Sequence, residues 1–120
     1  MDRYRMSGEI DSAFVNRVYG IVAEIPRGKV ASYGQIAEKA GDPQAARDVG
    51  YIMSQVPPGS ALPCHRVVNR TGTLAPDYVF GGKKRQRAML EAEGITFLQD
   101  GRINMERHQW GEYEQLMLPL

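Results

Sequence analysis

Two short stretches of apolar residues at helical spacing, separated by Gly41-Asp42-Pro43, constrain this chain more than any other feature. Glycine admits backbone conformations closed to other residues. Proline stops a preceding helix and suits the first turn of a following one. Upstream, Val30-Ala31-Ser32 reads as a short extended piece, with Ser32 placed to cap a helix over Tyr33 to Lys39. Downstream, Pro43 is expected in the first turn of a helix through Ala45, Ala46, Val49, Ile52 and Met53. Two short helices joined by a glycine-containing turn form a helix-turn-helix candidate. The plainer alternative is a pair of core-packing helices with no ligand.

The flanking sequence is punctuated often. Asp11 and Ser12 can cap a helix whose stripe is Phe14, Val18, Tyr19, Val22 and Ile25, ended by the turn Pro26-Arg27-Gly28-Lys29. Pro57-Pro58-Gly59-Ser60 closes the third helix, and a strand-like segment follows from Cys64 to Val68. Asn69-Arg70-Thr71-Gly72 reads as a turn, residues 73–82 as an irregular loop, and Lys83 to Glu93 as a helix stopped by Gly94. Ile95 to Leu98 and Arg102 to Met105, bridged by Asp100-Gly101, have the chemistry of a hairpin. The expected fold is mainly α with small β elements, a winged-helix-like helix-turn-helix domain over 11–105. An N-terminal arm (1–10) and a tail of uncertain order (106–120) flank it.

A chain of 120 residues suffices for one core, and 24% charged residues beside 42% hydrophobic ones argue against general disorder. The net charge of +1 neither demands nor excludes nucleic acid, since distribution outweighs sum. No apolar run approaches the roughly 18–20 residues of a membrane span. Met1-Asp2-Arg3-Tyr4-Arg5 lacks a secretory core, and a single cysteine makes no disulfide framework. A cytoplasmic, monomeric protein without metal or organic cofactor is the expectation.

That cysteine, Cys64, lies in Leu62-Pro63-Cys64-His65-Arg66-Val67-Val68. It is an inert packer, a surface thiol or a nucleophile. An imidazole that takes its proton would favour the last, but neighbours on a strand point to opposite faces, so adjacency alone leaves all three open. On the third helix, small residues Ala45, Ala46 and Gly50 surround Arg47. A helix of so little bulk can approach a DNA groove closely, with Arg47 entering the duplex and Tyr33 meeting a phosphate; the alternative for Arg47 is a solvated charge. Lys83, Lys84, Arg85 and Arg87 form a basic cluster that either tracks a backbone or simply faces water.

Together these residues carry a recognisable pattern. Pro63-Cys64-His65-Arg66-Val67-Val68 resembles the active-site signature of the O6-alkylguanine-DNA alkyltransferases. Gly28-Lys29-Val30-Ala31-Ser32-Tyr33-Gly34-Gln35-Ile36-Ala37 is similar to that family's first DNA-binding helix, and Pro43-Gln44-Ala45-Ala46-Arg47-Asp48-Val49-Gly50 to its recognition helix. Leu90-Glu91-Ala92-Glu93-Gly94 is similar to the segment supplying the acidic partner of the active-site histidine. The four segments fall in the family's order, over residues 14–98. The resemblance implies the DNA-binding and catalytic domain of that family. Its partner would be double-stranded DNA containing O6-alkylguanine, read through the minor groove and flipped.

Further roles follow from the resemblance alone. Arg47 would fill the gap left by the flipped base, and Tyr33 would rotate the target phosphate and donate to the leaving guanine. Cys64 would accept the alkyl group, with His65 taking the thiol proton through water and Glu93 orienting the imidazole. Gln35, Ala45, Ala46, Gly50 and Arg66 would join Tyr33 and Arg47 against DNA. Pro63, Tyr78, Phe80, Gly81 and Gly82 would line the alkyl pocket.

The chain departs from the pattern in three places. It has no counterpart of the N-terminal domain many of these transferases carry. The stretch Met53-Ser54-Gln55-Val56-Pro57-Pro58-Gly59 lacks the asparagine that in them helps tie the active-site turn. The pocket loop, usually Tyr-Ser-Gly-Gly, reads Tyr78-Val79-Phe80-Gly81-Gly82, with an added residue and no serine. Such features resemble the alkyltransferase-like proteins, which flip the lesion and hand it to nucleotide excision repair without transfer. Those typically have tryptophan or alanine where this chain keeps Cys64. A helix-turn-helix regulator with a structural cysteine is a third expectation.

Overall fold

The computed structural model describes residues 10–57, 59–75 and 82–111. Helix α1 (Ser12–Ala23) starts where Asp11 accepts a hydrogen bond from the Ala13 N–H at 3.0 Å, satisfying one orphan donor of the first turn. Phe14, Val18 and Val22 recur on its inner face and are buried, each contributing roughly 1.5–3 kcal/mol by leaving water. Lys29 N–H donates to Pro26 O at 3.1 Å, closing the expected turn.

Strand β1 (Ala31–Ser32) runs directly into α2 (Tyr33–Lys39), capped by Ser32 Oγ, which accepts from Gln35 N at 3.0 Å. Helix α2 ends with Gly41 at φ +99: Gly41 N–H donates to Glu38 O and Asp42 N–H to Ala37 O, a paired closure that requires the left-handed glycine. Helix α3 (Ala46–Ser54) begins later than the sequence predicts. Pro43 is not in its first turn. Asp42 Oδ1 accepts from Gln44 N (3.0 Å) and Asp42 O from Ala45 N (3.0 Å), so Pro43 is the second residue of a turn spanning 42–45, where its fixed φ fits equally well. The helix-turn-helix survives this shift, with Val49, Ile52 and Met53 buried against α1 and α2 residues Val18, Val22 and Ile36 in one apolar cluster.

The strand-like reading of Cys64 to Val68 is half right. Cys64–Arg66 is a single 3-10 turn, and only Val67–Val68 forms strand β2, parallel to β1 with Ala31 opposite Val67 and Ser32 opposite Val68. Helix α4 (Lys83–Ala92) stops at Glu93, with Gly94 next at φ +88. The hairpin is minimal: one antiparallel bridge joins Phe97 to Ile103, and Leu98 N–H reaches Arg102 O at 2.6 Å. Gly72 packs so closely on this hairpin that a Cβ there would lie 2.6 Å from Ile103 O.

Beyond 105 the chain continues as helix α5 (Met105–His108) and then packs onto the domain. Val30 N–H donates to His108 O (3.0 Å) and Trp110 N–H to Val30 O (2.8 Å), while the Lys39 ammonium stands 5.0 Å from the Trp110 ring centre. Residues 1–9 and 112–120 lie outside the described residues. Among those described, no helix is long and apolar enough to cross a membrane.

His108 gives this seam a pH dependence. Its Nε2 accepts the Thr96 N–H at 3.0 Å, which requires an unprotonated nitrogen. Burial pushes the imidazole below its ordinary 6.5; a hydrogen bond with the Gly28 backbone opposes this, and the Arg107 and Lys29 charges add to the lowering. With the folded value below the unfolded one, the unfolded chain gains the proton first as pH falls. The stability is therefore complete above 6.5 and lost as pH drops below it. Melting temperature is expected to fall through that range, with a flatter slope in His108→Gln. Parallel curves for the two proteins would show that His108 does not supply the effect.

Candidate functional site

The 3-10 turn and α4 face each other, and the site is built where they meet. Cys64 opens the turn, its backbone N–H bonded to Leu62 O at 2.8 Å, and its side chain belongs to the buried apolar cluster. Burial pushes its thiol from 9.0 up to about 11, a rise that its own backbone N–H only partly offsets. At rest this thiol is protonated and desolvated.

The next two residues converge on one carboxylate. His65 Nε2 lies 2.8 Å from Glu93 Oε2. Arg66 donates to the same group through Nε to Oε1 (2.9 Å) and through a terminal nitrogen to Oε2 (2.8 Å), while its other terminal nitrogen donates to Ile25 O at 2.7 Å. Burial alone would raise the Glu93 carboxyl. The Arg66 and His65 hydrogen bonds and charges reverse that and hold it at about 2. Glu93 is thus a fixed anion that orients the His65 imidazole, while Arg66 neutralises it.

The structure brings Cys64, His65 and Glu93 to one place and gives some other expected residues different settings. Arg66 faces inward, its side chain 16% exposed, because Glu93 and the Ile25 carbonyl fill its donors. Gln35 is buried: its Nε2 donates to Trp110 O at 2.7 Å and its Oε1 accepts from Gln109 Nε2 at 3.1 Å, so it fastens the C-terminal segment to α2. Ala45 is likewise buried beneath the start of α3. Arg47 is exposed and Ala46 and Gly50 are half-buried; Gly50 leaves room for the Tyr33 ring, which would lie 3.9 Å from a Cβ there. Pro63 immediately precedes the turn, and Gly82, at φ +104, precedes α4. Tyr78, Phe80 and Gly81 lie outside the described residues.

Two residues escaped the sequence reading. Tyr51 is 59% exposed on α3, one helical turn beyond Arg47, so an aromatic ring and a guanidinium share the outer face. Its position off the apolar stripe was the available signal. Gln86 is fully buried on α4 and bonds the backbone of the cysteine turn. Nothing in a Lys-Lys-Arg-Gln-Arg run marks its glutamine as internal. Arg87 of the basic cluster is partly engaged, 4.2 Å over the Phe97 ring centre and 3.4 Å from Glu91.

Residues 13–95 match the family described as 6-O-methylguanine DNA methyltransferase, DNA binding domain. The chain is 46% identical over 105 residues to a DNA base-flipping protein of Escherichia coli, covering 85% of this chain and 78% of the relative. It is 40% identical over 101 residues to Alkyltransferase-like protein 1 of Schizosaccharomyces pombe, covering 81% of this chain and 94% of that one. The crystal structure of S. pombe Atl1 in complex with damaged DNA containing O6-carboxymethylguanine superposes with a TM-score of 0.74 at 38% identity, over 83% of this chain and 96% of that chain. A methylated-DNA–protein-cysteine methyltransferase of Shigella flexneri is 41% identical over 85 residues; the match covers 71% of this chain but 48% of that relative.

Proposed function

The chain belongs to the 6-O-methylguanine DNA methyltransferase family through its DNA-binding domain, and from that premise we propose that it turns O6-alkylguanine out of duplex DNA and accepts the alkyl group on Cys64 in a single turnover. The observation that carries the chemical half is the ordered pair that begins at the residue after Cys64, His65 Nε2 to Glu93 Oε2 at 2.8 Å. The DNA half is supported by the exposed Arg47 and Tyr51 on α3 and by the DNA-bound relative.

In the reaction, His65 takes the Cys64 proton through a water, and the thiolate attacks the alkyl carbon in line with O6. The S–C bond forms as the C–O6 bond breaks. The electron pair stays on the guanine, which gains a proton from Tyr33, and the proton held by His65 returns to Tyr33 through solvent. The product is a thioether and an intact guanine, so the protein is consumed. A thiol at about 11 holds only about one part in ten thousand as thiolate at neutral pH, so proton removal must accompany lesion binding. Arg47 fills the gap in the stack, offsetting the few kcal/mol of extrusion.

The same burial of Cys64 favours a second reading: a sensor that flips the lesion, lines the pocket with the thiol and leaves removal to excision repair. Intact-mass measurement after incubation with an O6-methylguanine duplex separates the two. Transfer is expected to add about 14 Da to Cys64, one methyl replacing one proton, and Cys64→Ser to add none. Lesion-selective binding with no adduct after prolonged incubation would establish the sensor instead.

A further inference from the structure

Gln86 is the buried polar side chain of α4 that the mechanism above does not use, and every polar atom of its amide is engaged. Nε2 donates to His65 O at 3.1 Å and to Val67 O at 3.4 Å, and Oε1 accepts from Ala75 N at 2.9 Å. Only a neutral amide supplies two donors and an acceptor at that reach, and each buried partner left unmade would cost about 1–3 kcal/mol.

The three partners matter by position. His65 and Val67 lie in and just beyond the turn that Cys64 opens. Ala75 leads toward the 76–81 segment expected to line the alkyl pocket. Gln86, in the first turn of α4, and Glu93, its C-cap, stand two turns apart on the side that meets the cysteine turn. Helix α4 therefore grips that turn at two levels, Glu93 by its side chains and Gln86 by its backbone. In this chain the stretch before the cysteine signature contains no asparagine to do so.

We infer that Gln86 is a positioning residue for the reactive turn, holding Cys64 and the entry of the pocket segment in register with Glu93. The inference rests on the reading of Cys64 as the group that meets the lesion. Its test uses a readout independent of lesion transfer. Because Cys64 is the only cysteine, its carboxamidomethylation by iodoacetamide across pH reports on the turn directly. Dissociation constants for undamaged and O6-methylguanine duplexes are measured in parallel.

In Gln86→Met, which keeps volume and loses all three bonds, the turn loosens and the thiol relaxes from about 11 toward 9.0. The alkylation rate at mildly alkaline pH is expected to rise at least about tenfold, following the thiolate fraction. Preference for the lesion duplex falls about tenfold, and binding to undamaged DNA is unchanged. A native alkylation profile in folded Gln86→Met overturns the inference and leaves Gln86 a purely structural residue. If the native protein itself shows no lesion preference, the proposed function fails, and the thiol profile still decides the role of Gln86. Should Gln86→Met not fold, Gln86→Glu carries the test: it keeps an acceptor for Ala75 N–H and loses both donors to His65 and Val67, so faster alkylation is expected and a native profile overturns the inference.

Discussion

Replacing Glu93 with alanine is expected to destabilise the domain by about 2–4 kcal/mol, below the upper range for a buried charge left without its partner. Two groups lose their acceptor at once, the Arg66 guanidinium and the His65 imidazole, in a setting where the carboxylate is 7% exposed. Arg66 would keep only the Ile25 carbonyl. Urea titration measures the loss, and a change within 0.5 kcal/mol, the scale of an ordinary surface substitution, would contradict the geometry. The acid limb gives a second signature. Since the folded carboxyl sits at about 2 rather than 4.5, its stabilisation is complete above 4.5 and lost as pH falls toward 2. Glu93→Gln should lack that segment of the pH–stability curve while retaining one of the two acceptors that Arg66 uses.

If Arg47 fills the gap as proposed, Arg47→Ala is expected to weaken binding to an O6-methylguanine duplex by about 2–3 kcal/mol, roughly 30- to 150-fold, because nothing then replaces the extruded base in the stack. The loss should be the same whatever the flanking sequence, and much smaller on undamaged DNA. Fluorescence anisotropy at one fixed salt concentration, on damaged and undamaged duplexes in two sequence contexts, measures all four constants. Equal losses on damaged and undamaged DNA would reduce Arg47 to a phosphate contact. A loss confined to one undamaged sequence would instead favour a helix-turn-helix regulator.

Local chemistry was legible in this chain and distant pairing was not. The caps at Asp11 and Ser32, the glycine stops at 41 and 94 and the Asp100-Gly101 hairpin each depend on residues within a few positions, and each forms as read. Pro43 misled because proline suits both a helix start and the second position of a turn; only the backbone bond from Ala45 to Asp42 decides between them. Arg66 and Gln35 look like surface polar residues until the carboxylate and the carbonyl that absorb them are brought from far along the chain. The His65–Glu93 partnership was accessible only through resemblance, since no periodicity relates a turn to the far end of a distant helix.

The pairing of Ala31 with Val67 and Ser32 with Val68 sets a tolerance on change. One end of β1 runs without a spacer into Tyr33 and the helix-turn-helix, and one end of β2 follows Arg66 without a spacer. The helix-turn-helix and the cysteine turn therefore share one phase. Inserting a single residue between Ser32 and Tyr33, or between Arg66 and Val67, displaces the adjoining helix or turn relative to the ladder and changes the direction its side chains take. Length variation is admissible between Ser54 and Pro63, where no ladder constrains the described residues. A recognition helix grafted from a relative will consequently work only if its junction preserves the count of residues to β1, whatever its own sequence.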